Sequence, residues 1–219
     1  NMHRRDFFLF SSSFVFLPSY QIFSKEQIAS TVFNIIWRDL NIGYSKIVLE
    51  KINQTILTNI EVFISVNLLG LNLFNYKLNC KEEWRNKKLI SISSNCRSNN
   101  KTFYVNGKKV KKGFKINGSA FKGIVNDDIA TTSYFTPDFL RRKIWISTQD
   151  GTPYKINSNL ILKEDILIFN KITDVKRFEI KGDLELDLLY NSNDEWVGCN
   201  FNAGGSKVTF TLKEKIGNI

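Results

Sequence analysis

Histidine occurs once in the 219 residues, at His3, and three cysteines stand at Cys80, Cys96 and Cys199. Beyond its first residues the chain therefore has no imidazole with which to build a Ser-His-Asp site, a Cys-His site or a His-ligated metal centre. No two cysteines have metal-ligand spacing, so neither a metal nor a cofactor is expected. Carboxylates, lysines and tyrosines are the acid–base groups that remain. Glu82 and Glu83 are adjacent on a predicted strand and point to opposite faces, so they cannot serve one site together. Glu82 and Trp84, two apart, share a face. With Trp84 turned inward, Glu82 is a carboxylate in apolar surroundings and needs a partner such as Arg177 or Arg97. Two roles are open to it: a structural buried ion pair, or, with Arg177, orientation of the polar head of a bound amphiphile. Trp84, Tyr134, Tyr190 and Trp196 supply an apolar lining for such a ligand, or equally a core. Asp127-Asp128 lacks the further spaced ligands of a calcium loop and reads as a solvated pair. The enzymatic alternative uses Glu82 with Asp127 or Asp150, two carboxyl groups about 5 to 9.5 Å apart across a cleft.

The compartment is read from the stretch Met2 to Tyr20. Arg4 and Arg5 form a positive segment, Phe7 to Leu17 an apolar run too short for the roughly 20 residues of a bilayer-spanning helix, and Pro18 a break. Residues 1–24 read as a cleavable export signal, and Arg4-Arg5-Asp6-Phe7-Phe8-Leu9 resembles a twin-arginine leader. Cleavage after Ser24 or after Ser30 suits the small-residue rule; the alternative is an N-terminal core strand or helix. Export implies a periplasmic or other envelope location in a bacterium. The net charge of +10, or +9 once Arg4, Arg5 and Asp6 are removed, and the Lys108 to Lys112 cluster then face anionic lipid or an acidic envelope polymer, and nucleic acid is not an expected partner. In an oxidising compartment Cys80 and Cys96 are the candidate disulfide. A simple two-residue turn at Asn86-Lys87 places Cys80 opposite about residue 93, so the pair needs a bulge or a longer loop.

These residues must be positioned by strands, because apolar and polar side chains alternate with a period near two along most of the chain. Predicted strands include Thr31–Trp37, Gly43–Ile52, Ile56–Asn67, Leu71–Trp84, Lys88–Asn95, Lys101–Val105, Val110–Ile116, Leu160–Ile168, Asp174–Tyr190, Trp196–Ala203 and Ser206–Leu212. Turn signals such as Asn106-Gly107, Asp150-Gly151, Ser192-Asn193-Asp194 and Gly204-Gly205 separate many of them. A short helix or crossing loop is expected near 131–143, where Phe135, Phe139 and Leu140 are spaced for one face. No linker or low-complexity tract divides residues 25–219, which read as one all-β domain. So many antiparallel strands must curl, and a strongly curved sheet, half-barrel or barrel-like, is expected, with a β-sandwich as the alternative.

Several spaced motifs occur together and in order. Glu82-Glu83-Trp84-Arg85-Asn86-Lys87-Lys88-Leu89, Thr131-Thr132-Ser133-Tyr134-Phe135 and Thr148-Gln149-Asp150-Gly151 are followed by Lys176-Arg177-Phe178 with Gly182. Leu186-x-Leu188-x-Tyr190, Trp196-Val197 and Phe201-x-Ala203-Gly204-Gly205-Ser206 complete the set. The run resembles a bacterial family of exported proteins catalogued as a domain of unknown function, with an E-x-W-x-x-G-x-L hairpin. Lys87 stands where that hairpin has glycine, and Phe135 where tryptophan is common. The resemblance implies an envelope protein with a curved antiparallel sheet and implies no active site. The expected function is accordingly non-catalytic: an envelope protein that shields a lipid-like or amphiphilic ligand against the sheet. A structural or partner-binding role is the other non-enzymatic reading.

Overall fold

The structure, a computed structural model, describes residues 26–68 and 71–217; the expected leader, residues 1–24, lies outside them. Fifteen strands form a hairpin meander. The first eight are β1 Glu26–Trp37, β2 Leu40–Ile52, β3 Thr55–Leu68, β4 Leu71–Arg85, β5 Lys88–Ser98, β6 Lys101–Val110, β7 Gly113–Gly118 and β8 Lys122–Val125. A crossing segment follows, with β9 Ala130–Thr131, a 3-10 helix Pro137–Arg141 and β10 Ile144–Ile146. The remaining strands are β11 Pro153–Ile168, β12 Lys171–Gly182, β13 Leu186–Asn191, β14 Trp196–Ala203 and β15 Ser206–Gly217.

The alternation predicted from the residues is what the strands bury: Phe114 and Ile116 point inward from β7 while Lys115 and Asn117 point out. Tight turns hold the hairpins. Arg38-Asp39, Asn86-Lys87, Phe169-Asn170 and Gly204-Gly205 all have positive φ at both central residues, the left-handed geometry whose twist matches the flanking strands.

All fifteen strands belong to one sheet in the order β8-β7-β6-β5-β4-β3-β2-β1-β15-β14-β13-β12-β11-β10-β9. Every pairing is antiparallel except β9 with β10. The first and last strands meet at the middle of the sheet, where Phe33 lies opposite Leu212, and the sheet does not close into a barrel. Its curvature is visible in the core. Phe114 of β7, Trp84 of β4, Phe33 of β1 and Tyr190 of β13 belong to one buried cluster, which strands so far apart can share only if the sheet wraps around it. The two ends of the sheet approach each other through loops: the Ala120 amide donates to the Asp150 carbonyl at 3.1 Å. The sandwich alternative is not observed.

Two local expectations are corrected. Asn106-Gly107 is not a turn. It lies inside β6, whose hairpin turns instead at Lys111-Lys112, and Gly107 is required by packing because a Cβ there would sit 2.5 Å from the Phe114 ring. The predicted strand Asp174–Tyr190 is two strands, β12 and β13, broken after Gly182, whose φ of 128° favours glycine. The crossing segment carries a single 3-10 turn, opened by Thr136 as N-cap and Pro137.

Candidate functional site

The concave face is where the sequence placed its candidate site, and the crossing segment occupies it. Ile129, Ala130, Phe135, Phe139, Trp145 and Ile146 are all buried in the main cluster. Trp84 meets Phe139 at 4.8 Å and Phe135 at 5.9 Å between ring centroids. Tyr134 packs between Trp145 and Trp196, at 5.7 and 5.8 Å, and Trp196 lies tilted against Phe33 at 4.2 Å. The Tyr190 hydroxyl donates to the Tyr134 carbonyl at 2.8 Å. Tyr134 itself has φ 57°, an uncommon conformation for a bulky residue, held by this hydrogen bond and the two tryptophan contacts. Of the six residues expected to line a ligand site, Glu82, Trp84, Tyr134, Tyr190 and Trp196 do converge; they converge on the crossing segment.

Glu82 is 2 % exposed and has no ion partner among the described residues. Its Oε2 accepts from Trp84 Nε1 at 2.8 Å and from Ser133 Oγ at 3.2 Å, while Oε1 is buried without a hydrogen bond among the described residues. Burial disfavours the carboxylate and pushes its pKa up to about 7, against the opposing pull of hydrogen bonds from Trp84, Thr131 and Ser133. Glu82 therefore ties two strand residues to the crossing segment through polar side chains, at the cost of a charge that the site disfavours. The expected partner Arg177 is elsewhere. It lies opposite Leu189, on the face where Val175, Leu189 and Val197 form a second small cluster. There its guanidinium pairs with Glu164 and, at 3.1 Å, with Asp187. Arg97 is exposed and bonds the Asn99 carbonyl at 3.4 Å.

The cysteine expectation is corrected as well. Cys80, Cys96 and Cys199 are free and buried. A bulge between Glu83 and Trp84 puts Cys80 opposite Ser94 and Cys96 opposite Leu78. The two are thus diagonal neighbours on one face, with Cα atoms about 7 to 8 Å apart, beyond the span of an unstrained disulfide. Burial raises the Cys80 thiol well above its ordinary value, the environment of an inert rather than a reactive cysteine.

Two buried charges escaped the sequence reading. Arg142 is 3 % exposed and donates to the Ile129 carbonyl at 2.6 Å and the Lys87 carbonyl at 2.7 Å. It thereby pins the crossing segment to the β4–β5 turn, with Asp128 at 3.1 Å as its counter-ion. Asp127 takes Lys88 and Lys109, at 3.0 and 3.3 Å, so the Asp127-Asp128 pair is balanced by the chain's own cations. Glu195 is buried as well; it pairs with Lys215 and accepts from Asn191 Nδ2 at 2.7 Å. The Asn191…Glu195 spacing across a turn was the only signal that could have revealed it. Among the described residues, the interior opening beside Glu195, Trp196 and Phe135 amounts to about 10 Å³, no more than one water occupies. No group of His, Cys, Asp and Glu among these residues is arranged to hold a metal ion.

A wrapped antiparallel sheet whose own crossing segment fills the concave face defines a half-barrel protein with a packed interior. The chain belongs to a family described as a domain of unknown function, DUF6134, whose sequence profile matches residues 33–213. Its architecture is similar to that of the beta-barrel-like protein of domain of unknown function DUF1849 from Brucella abortus. The two share a TM-score of 0.62 at 6% identity over 89% of this chain and 99% of that one, a likeness of fold. No curated protein matches the chain.

Proposed function

We propose that this protein is an exported, non-catalytic envelope protein that works through its outer surfaces on a partner, with the curved sheet as scaffold. The observation that supports this reading is the filled interior. The aromatic residues that could have lined an amphiphile site are spent on Phe135, Phe139 and Trp145 of the crossing segment, which Arg142, Ser133 and Tyr190 bind in place. A carrier of a lipid-like ligand requires that segment to leave. A carboxylate enzyme requires Glu82 to reach a substrate, yet Glu82 is enclosed, and Asp127 is committed to two lysines. Without Arg4, Arg5 and Asp6 of the leader, 29 basic and 20 acidic residues leave a net charge of +9, which suits an anionic membrane surface or envelope polymer on the outer side. Native mass spectrometry of the protein purified from its own envelope tests the reading, together with thermal unfolding in the presence of fatty acids and phospholipids. The expected result is a protein mass with no bound lipid and an unchanged melting temperature. A stoichiometric acyl ligand, or stabilisation by an added amphiphile, overturns it.

A further inference from the structure

β11 leaves a long edge of the sheet open. β10 pairs with it only at Pro153–Lys155, and the Ile156 amide then donates to the Lys143 carbonyl at 3.0 Å. Among the described residues no strand covers the outer edge of β11 from Asn159 to Ile168. This edge is apolar: Leu160, Ile161 and Leu162 are 51%, 48% and 45% exposed, and Leu167 is 68% exposed. An uncovered apolar edge of that length is a template for another strand. The opposite edge of the sheet, β8, has only four residues, Lys122–Val125.

The register of the hairpin decides what the edge can accept. Ile168 and Lys171 flank the two-residue turn and face each other, so Ile168, Ile166 and Glu164 aim their backbone groups at β12. Leu167, Asp165 and Lys163 aim theirs outward. A second copy of the same edge, running antiparallel about a two-fold axis, must set outward-aimed residues opposite one another. Centred on Lys163 this puts two lysines face to face, and centred on Asp165 two aspartates. Centred on Glu164, Lys163 of each copy meets Asp165 of the other, twice, and Leu162 of one lies opposite Ile166 of the other, the regular pairing ending at the bulge between Leu160 and Leu162. Neither Lys163 nor Asp165 has an ion partner among the described residues. The two Glu164 side chains that meet at the axis are each already neutralised by Arg177, whose Nε lies 2.7 Å from Oε1.

We infer that the partner of this surface is a second copy of the chain, joined β11 to β11 in the register centred on Glu164, so that two sheets run on as one. The inference deepens the scaffold reading by naming its partner and rests on it only in placing function on the outer surface. The Lys163–Asp165 pairs select the register, since like charges directly opposite across strands are unfavourable, and the symmetric contact is self-complementary.

Sedimentation velocity of the purified protein tests it through exposed side chains that leave the core alone. A concentration-dependent dimer is expected. Lys163→Asp and Asp165→Lys each place like charges opposite twice per dimer and weaken it by about tenfold or more. The double variant, with the two charges exchanged, restores the dimer, which a folding defect would not do. Glu164→Cys, on the axis, forms an intermolecular disulfide on oxidation. A protein that stays monomeric overturns the inference, as does a dimer indifferent to both single reversals or an open-ended polymer. Failure here leaves the filled interior untouched, whereas a lipid found inside would sink the scaffold reading and spare the dimer.

Discussion

Glu82 shows how one buried side chain couples strand and crossing segment to pH. Its carboxyl titrates near its ordinary value, 4.5, in the unfolded chain and at about 7 in the folded one. The stability it allows is therefore fully present below the unfolded value and declines as pH rises to about 7, by about 3 kcal/mol in all. The only histidine, His3, lies outside the described fold, so no core imidazole titrates in the same window. Urea unfolding at about pH 5 and about pH 8 should show wild type losing stability with rising pH, and Glu82→Gln should remove most of that loss. An unchanged pH slope in the variant would contradict the burial argument. The sharing of a face by Glu82 and Trp84 was readable from their spacing. The Ser133 and Thr131 donors were not, because they arrive from about fifty residues away.

The β4–β5 hairpin carries the argument to the scale of the element. Its turn residues Asn86 and Lys87 have φ 49° and 62°, and lysine pays a steric penalty there that glycine does not. Lys87→Gly should raise stability by about 0.5 to 1 kcal/mol, measured by urea unfolding. The ion pair it removes, Lys87 with Asp138 at 2.8 Å, has its lysine 66% exposed and is worth little. The Lys87 carbonyl that receives Arg142 is kept. A destabilised Lys87→Gly would mean that the surface pair, and not the turn, holds the crossing segment. This turn was legible because its signal is local. The Asn106-Gly107 signal misled because the same two residues suit a strand interior where Phe114 leaves no room for a Cβ.

At the scale of the molecule, β1 bears on where the proposed export signal would be cut. Ala29 lies between Leu49 and Gly217, and Ser30 between Val48 and Ile216, at the seam where the two halves of the sheet join. Cleavage after Ser30 would remove both from that seam, whereas cleavage after Ser24 leaves β1 whole. N-terminal sequencing of the protein from the periplasmic fraction should therefore begin at Lys25. A start at Thr31 would refute the seam argument, and a cytoplasmic protein that keeps residues 1–24 would refute export.

Alternation, turn residues and the want of histidine act within a few positions of the chain, so the all-β meander and the limits on its chemistry are properties of the amino-acid sequence alone. Which faces meet is another matter. A single bulge between Glu83 and Trp84 shifts the register by one residue, bringing Cys80 and Cys96 onto one face as diagonal and not opposed neighbours, strand parity turns Arg177 away from Glu82, and the filling of the concave face by residues 129–146 follows from how far the sheet curls. Those outcomes depend on the sum of many strand twists and on contacts between distant residues, which no local pattern encodes; only the tertiary structure decided them.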